Sequence, residues 1–400
     1  MLSVMYRHRT LEARLQRYLT LFPAVAVTGP RQSGKSTLLR TSYPDVPYVT
    51  FDDPEEVRAV EDDPRGYLSR FPDRVILDEV QRAPGIFSFL KIAIDTERDR
   101  KGRFLLTGSS QFTLSRRISE SLAGRIGLLE LYPFERHEMP AQARQAQMLF
   151  GSYPELAMRG HDGSRELFSA YLATYLERDI RVGNNVGKLS DFQRLIRLLA
   201  ARTGQEYNAS SLAREVGVDS KTVESWVSIL EASYQVFRLR PWHANIGKRL
   251  VKRPKLYFWD TGMACHLAGV RSTEALEAGP LGGPVFENFV IAEILKAATH
   301  RGLEVEAFYF RESNGLETDL VIFDRDKGRS WVIDAKAGQT PKAPWIDGVA
   351  KVAGLVGPKA RRQLRPVIIY RGRTQRDWPT KASDFLGMED AIAEWQVNAK

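Results

Sequence analysis

The octet Gly29-Pro30-Arg31-Gln32-Ser33-Gly34-Lys35-Ser36 satisfies the pattern G-x-x-x-x-G-K-[ST], and its residue types suit one task, holding a chain of phosphates. Glycine lets the backbone wrap closely around an anion. The N–H groups of Arg31, Gln32, Ser33, Gly34, Lys35, Ser36 and Thr37 would point at it from the turn and the helix start. Lys35 would reach the β- and γ-phosphates, and the Ser36 hydroxyl would ligate Mg2+. A second run, Val75-Ile76-Leu77-Asp78-Glu79, delivers two acids behind an apolar stretch. Asp78 would hold the metal, directly or through water, while Glu79 polarises an attacking water. A third run, Phe104-Leu105-Leu106-Thr107-Gly108-Ser109-Ser110, ends in small polar residues. Ser110 is the candidate to sense the terminal phosphate or to orient the water.

Parallel strands with helices between them would position these groups. Ala24-Val25-Ala26-Val27 reads as a buried strand ahead of the loop, and Thr37-Leu38-Leu39-Arg40 as the start of a helix behind it. Tyr48-Val49-Thr50-Phe51 adds another strand. In an open α/β sheet, ligands bind at the carboxyl ends of the strands, where the acids and hydroxyls fall. This order resembles the AAA+ branch of P-loop ATPases, with its Walker A loop, Walker B pair and sensor residue. The resemblance implies ATP and Mg2+ as cofactors and a homo-oligomeric ring, a hexamer by the usual pattern. It also implies an arginine finger donated by a neighbouring subunit, for which Arg125 is the candidate and Arg116 and Arg117 are rivals.

Further runs narrow the resemblance. They are Asp78-Glu79-Val80-Gln81-Arg82-Ala83-Pro84, Leu122-Ala123-Gly124-Arg125, Leu131-Tyr132-Pro133-Phe134, Gly151-Ser152-Tyr153-Pro154-Glu155 and Tyr175-Leu176-Glu177-Arg178-Asp179-Ile180. Together they look like a family of prokaryotic AAA+ ATPases whose C-terminal domain has no assigned function. That domain resembles a restriction-endonuclease fold.

The middle of the chain predicts a helix-turn-helix. A short helix ends at Gly217, Asp219 or Ser220 caps a second, and Val223, Trp226, Val227 and Leu230 form its apolar face. Lys221 would lie at the groove-facing start of the second helix. From Glu231 to Asp260 there is no acid between the two, but there are seven basic residues: Arg238, Arg240, Lys248, Arg249, Lys252, Arg253 and Lys255. This reads as the basic wing of a winged helix, with Lys248, Arg249, Lys252 and Arg253 on DNA phosphates. The other reading keeps the module structural.

Gly282-Gly283-Pro284 reads as a break that opens a new domain. A helix carrying Glu287 follows, then strands holding Asp319 and Asp334-Ala335-Lys336. Alternation places Asp334 and Lys336 on one face. The pattern resembles the PD-(D/E)XK nuclease core, in which Glu287, Asp319 and Asp334 would hold Mg2+ and Lys336 would activate water. Cleavage is not expected, because many members of that fold are catalytically degenerate. Arg361, Arg362, Arg365, Arg371 and Arg373 form a candidate basic surface on the same domain.

Composition sets the bounds. The 400 residues suffice for two or three cores, and 43% are hydrophobic. A single cysteine, Cys265, rules out an internal disulfide and fits a cytoplasmic setting. Neither a signal-like N-terminal segment nor a membrane span is expected. Net charge is +9, which favours a polyanionic partner. The expected fold class is α/β. A P-loop AAA+ parallel-sheet domain spans 1–150, a helical and winged-helix region 151–275, and an α/β restriction-endonuclease-like domain 276–400. The expected function is an ATP-hydrolysing motor or remodeller of DNA, such as branched or Holliday-junction DNA. A nucleotide-dependent signalling switch and an ATP-regulated metal-dependent nuclease are the alternatives.

Overall fold

The computed structural model describes residues 6–109, 121–176, 189–245, 252–325, 329–375 and 384–397. The first sheet contains β1 (Ala24–Thr28), β2 (Tyr48–Thr50), β3 (Val75–Asp78), β4 (Phe104–Gly108) and β5 (Ile126–Glu130), ordered β2-β3-β4-β1-β5. All four pairings are parallel. β1, β3 and β4 are buried at every residue, as central strands covered on both faces must be. The edge strands β2 and β5 alternate instead. One face carries Phe51, Phe87, Leu90 and their neighbours, and the other carries Leu15, Leu38 and Leu39. Placing β4 between β1 and β3 puts Thr107 and Ser109 between the phosphate loop and the acid pair.

The middle segment is helical, as its periodicity predicts. The helix Leu189–Ala201 buries Phe192, Leu195, Ile196 and Leu199. The helix Ala209–Val216 starts on the Asn208 side chain and stops at Gly217, whose φ of 89° few other residues adopt readily. Asp219 caps the helix Ser220–Ala232 by accepting the Thr222 N–H at 2.9 Å, and Val223, Trp226, Val227 and Leu230 are buried beneath it. Next come β6 (Val236–Pro241) and β7 (Lys255–Phe258), an antiparallel pair.

This pair is not a free-standing wing. β6 runs on into parallel pairing with β8 (Val305–Arg311), Arg240 opposite Phe308 and Pro241 opposite Tyr309. The second sheet adds β9 (Glu317–Asp324), β10 (Ser330–Lys336), β11 (Arg365–Tyr370) and β12 (Asp384–Gly387), ordered β12-β11-β10-β9-β8-β6-β7. The sheet therefore spans the expected boundary at 275/276. Gly282-Gly283-Pro284 is likewise not a linker, because it forms the first turn of the helix Gly282–Arg301, where proline's missing N–H costs nothing. That helix and the helix Pro344–Ala360 cover opposite faces of the sheet. Among the described residues no helix is long and apolar enough to cross a membrane.

Candidate functional site

The phosphate loop leaves β1 at Gly29, whose φ is 143°. A Cβ there would stand 2.2 Å from the Leu131 carbonyl oxygen, so the close approach of the β5 exit requires glycine. Gln32 and Gly34 also have positive φ, and Gly34 opens the helix Lys35–Ser42. Ser33 is fully buried, and its hydroxyl has no hydrogen-bond partner among the described residues. Lys35 is buried, and its Nζ donates to the carbonyls of Gly29 at 3.1 Å and Pro30 at 2.8 Å. Burial pushes this ammonium down to about 8, against the pull of Glu79 and Asp78. A desolvated cation resting on two loop carbonyls and an unpartnered buried hydroxyl are features that a bound polyphosphate would satisfy.

Ser36 and Asp78 meet directly. The Ser36 hydroxyl lies 2.8 and 3.0 Å from the two Asp78 oxygens. Tyr48 donates to Asp78 Oδ2 at 2.6 Å, and the Thr107 hydroxyl reaches Oδ1. These contacts fix a carboxylate beside a hydroxyl, the two groups that could hold Mg2+. Glu79 sits at φ 52°, an uncommon conformation for glutamate that costs on the order of 1 kcal/mol. Its N–H is held by Thr107 Oγ1 at 3.1 Å, and its Oε2 accepts from Ser109 Oγ at 3.0 Å and from Gln81. Ser109, which the sequence reading did not single out, places its hydroxyl on Glu79. Ser110 lies outside the described residues, as do Arg116 and Arg117.

Arg9 braces the loop from behind. It is buried, donates to Ser33 O at 2.8 Å and Tyr132 O at 2.7 Å, and pairs with Glu138 at 3.1 Å. Glu138 in turn accepts from Thr10 N and Glu135 N. Burial opposes ionisation of Glu138, but Arg9 and His300 outweigh it and hold its carboxyl at about 2. Arg301 makes a forked bond to Glu135 at 2.8 and 2.9 Å. His300, pushed down to about 4 by burial, accepts the Tyr132 N–H at 3.1 Å. This network ties the phosphate loop to the helix Gly282–Arg301. Glu135, Glu138 and His300 have donor atoms within 4.8 Å of one another. Two guanidiniums already neutralise the two carboxylates, so the group does not call for a metal ion. No sequence signal marks Arg9, because its partners Ser33 and Tyr132 are 24 and 123 residues away along the chain.

Arg125 precedes β5 at the amino edge of the sheet, opposite the phosphate loop. It forks onto Asp95 at 2.6 and 2.9 Å. Within one chain its guanidinium is thus committed to Asp95 and does not reach the chain's own loop. Lys221 is exposed at the start of its helix, and Lys252 and Arg253 are exposed before β7. Lys248 and Arg249 lie outside the described residues. Arg238 and Lys255 do not belong to a solvated basic wing. Arg238 pairs with Glu224 and Glu231, and Lys255 is buried.

Lys255 points into the acidic cluster of the second sheet. Its Nζ lies 3.1 Å from Glu287 and 2.7 Å from Glu317. Tyr257 also donates to Glu287. Asp319 accepts the Ala335 N–H at 2.8 Å, and Lys336 pairs with Asp334 at 2.6 Å. Burial and the neighbouring Asp319 push Glu287 up to about 7, while burial and Asp334 push Asp319 well above the usual carboxylate range. The four residues chosen from sequence therefore do share one neighbourhood. What sequence missed is Lys255, counted there as part of the wing, and Glu317. The arginines named as a basic surface are spread along β11: Arg365 opens the strand, while Arg371 and Arg373 follow its end, at least about 20 Å along the chain.

A phosphate loop on β1, acids on β3 and hydroxyls on the intervening β4 define a P-loop ATPase domain of the AAA type, and residues 21–139 match the AAA domain model. Residues 142–274 and 282–385 match two domains of unknown function, DUF8612 and DUF4143. The chain belongs to the family of the uncharacterized proteins Rv2008c of Mycobacterium tuberculosis and Mb2031c of Mycobacterium bovis. It is 33% identical to each over 341 residues, covering 84% of this chain and 76% of theirs. Among solved structures it is similar to the Walker-type ATPase PABY2304 of Pyrococcus abyssi, at 15% identity and a TM-score of 0.46 over 64% of this chain and 94% of that one. It is also similar to the Thermotoga maritima RuvB Holliday junction branch migration motor, at 17% identity and a TM-score of 0.28 over 57% and 86%. The class rests on the AAA match and the strand order, not on these partial overlays.

Proposed function

We propose that this protein hydrolyses ATP with Mg2+ and uses the cycle to act on DNA. The observation that carries the hydrolytic reading is the shared wiring of Ser36, Asp78, Thr107, Glu79 and Ser109. Loop amides and Lys35 would bind the triphosphate, with Ser36 and Asp78 holding the metal. Glu79 would orient water once it leaves Ser109 and Gln81. Arg125 would supply charge to a neighbouring subunit's site in a homo-oligomeric ring, a hexamer in the AAA+ pattern, after exchanging Asp95 for phosphate. The DNA part is supported by the net charge of +9, by the helix-turn-helix with Lys221 at its exposed start, and by exposed Lys252 and Arg253. ATP turnover measured with and without single-stranded, duplex, forked and four-way DNA tests the reading. DNA-independent turnover would favour a nucleotide switch.

The convergence of Glu287, Asp319, Asp334 and Lys336 supports a second reading, a metal-dependent nuclease. The Lys255 ammonium stands against it, since it already pairs with Glu287 and Glu317 and places a positive charge where a metal ion would sit. Plasmid nicking with Mg2+ or Mn2+ decides between a cutting site and a scaffold.

A further inference from the structure

The strands β10, β11 and β12 are parallel and end in step, Lys336 opposite Tyr370 and Tyr370 opposite Gly387. A crevice outside the carboxyl ends of parallel strands is where such sheets bind ligands. Here it is a cleft of about 720 Å3, within the usual ligand-site range. Arg371, Gly372 and Arg373 form one wall as the chain leaves β11. Arg136 and Arg144, from the segment after β5, form the other. The two walls come from separate parts of the chain and present four guanidiniums.

Two of the four are engaged. Arg136 pairs with Glu389 at 2.7 Å and Arg371 with Glu277 at 2.5 Å. Arg144 and Arg373 face the cleft with no carboxylate in ion-pairing distance among the described residues. Among the described residues the Arg144 guanidinium makes only a long bond, 3.4 Å, to the Met139 carbonyl. Close packing of the chain against itself requires glycine at two lining positions. A Cβ on Gly372 would stand 2.4 Å from Gln339 O, and one on Gly387 would stand 2.7 Å from Gly372 O. A guanidinium fork can take two oxygens of one phosphate bidentately, which a point-like anion does not offer.

We infer that this cleft is a second phosphate site, separate from the P-loop, that takes a nucleotide phosphate on Arg144 and Arg373. The phosphate belongs to a free nucleotide or to a nucleic-acid strand. The strand source rests on the DNA reading above, and the free-nucleotide source does not.

The test uses the full chain carrying Lys35→Ala, so that the P-loop contributes no nucleotide binding. Fluorescence anisotropy is followed with three probes: a short labelled DNA strand, a mant-labelled adenosine diphosphate, and labelled polyglutamate. Binding of the strand or the nucleotide is expected, weakened roughly tenfold by Arg144→Gln with Arg373→Gln. For the strand, the log–log salt slope should fall by about two units, one per lost phosphate contact. Unfolding midpoints matching the parent confirm that the variant is folded, and Arg144→Gln alone gives a milder second measurement. DNA binding with nucleotide silent assigns the strand, and the converse assigns the free nucleotide. The inference is overturned if neither probe binds, if the arginine changes leave affinity intact, or if polyglutamate binds as tightly with the same arginine dependence. Loss on Lys252→Ala with Arg253→Ala, but not on the arginine pair, would also overturn it while sparing the DNA reading.

Discussion

Replacing Arg9 with methionine should destabilise this protein strongly and loosen its phosphate loop. Arg9 is 5% exposed, and its partner Glu138 is 4% exposed. Removing the guanidinium leaves a buried carboxylate whose remaining charged neighbour, His300, is neutral above about pH 4. Breaking a buried pair from one side costs about 3–5 kcal/mol. The lost bonds to Ser33 O and Tyr132 O overlap with that figure, so about 4 kcal/mol is a reasonable total. Glu138→Gln should cost less, since Arg9 keeps both carbonyls. The double variant should fall short of the sum by about 1–3 kcal/mol, the coupling of a contacting pair. Urea unfolding followed by tryptophan fluorescence can read this, because Trp259 stacks on Tyr132 at 4.0 Å. The first transition is the one to compare, as a chain of several domains need not unfold in one step. Nucleotide affinity should drop alongside, since Ser33 O is part of the loop. An unchanged first transition with unchanged affinity would refute the idea that Arg9 braces the phosphate loop.

Acid should destabilise the protein in two stages. Folded His300 titrates at about 4 rather than 6.5, so stability falls from pH 6.5 towards 4; Glu138 titrates at about 2 rather than 4.5, so a further loss, on the order of 3 kcal/mol, follows from pH 4.5 towards 2. His300→Gln should flatten the upper stage in a pH series of denaturation midpoints, and an unaltered profile would remove His300 from the account. Lys252→Ala with Arg253→Ala should weaken DNA binding and lower the log–log salt slope by about two units, whereas the same slope would show that these side chains touch no phosphate. Wild-type protein should leave plasmid DNA intact with Mg2+ and with Mn2+; cleavage abolished by Asp319→Ala and by Lys336→Ala would reverse this.

Much of the first sheet is legible because its signals are local. The octet at Gly29, the all-apolar run before Asp78 and the polar end of β4 each announce a strand or its ligand edge within a few residues. The cap at Asp219 and the stop at Gly217 are equally local. What could not be read depends on distance. Arg9 reaches the loop only after β5 returns beside β1. The Ser109 contact with Glu79 is set by the backbone path at the end of β4, which the residue pattern alone does not give. Lys255 reads as one of seven basic residues in an acid-free stretch, yet β7 at the sheet edge turns it inward onto Glu287 and Glu317. The five arginines between 361 and 373 look clustered in sequence, but a strand separates Arg365 from Arg371 and Arg373.

ATP turnover by wild type beside Glu79→Gln, with bound nucleotide quantified in both, shows whether Glu79 drives hydrolysis at this site. Glutamine keeps the shape of residue 79 and leaves Asp78 beside Ser36, so ATP should still bind while hydrolysis falls by two orders of magnitude or more, about the contribution of general-base catalysis. Equal turnover in the two proteins, or no turnover in wild type with any DNA or none, would contradict the account.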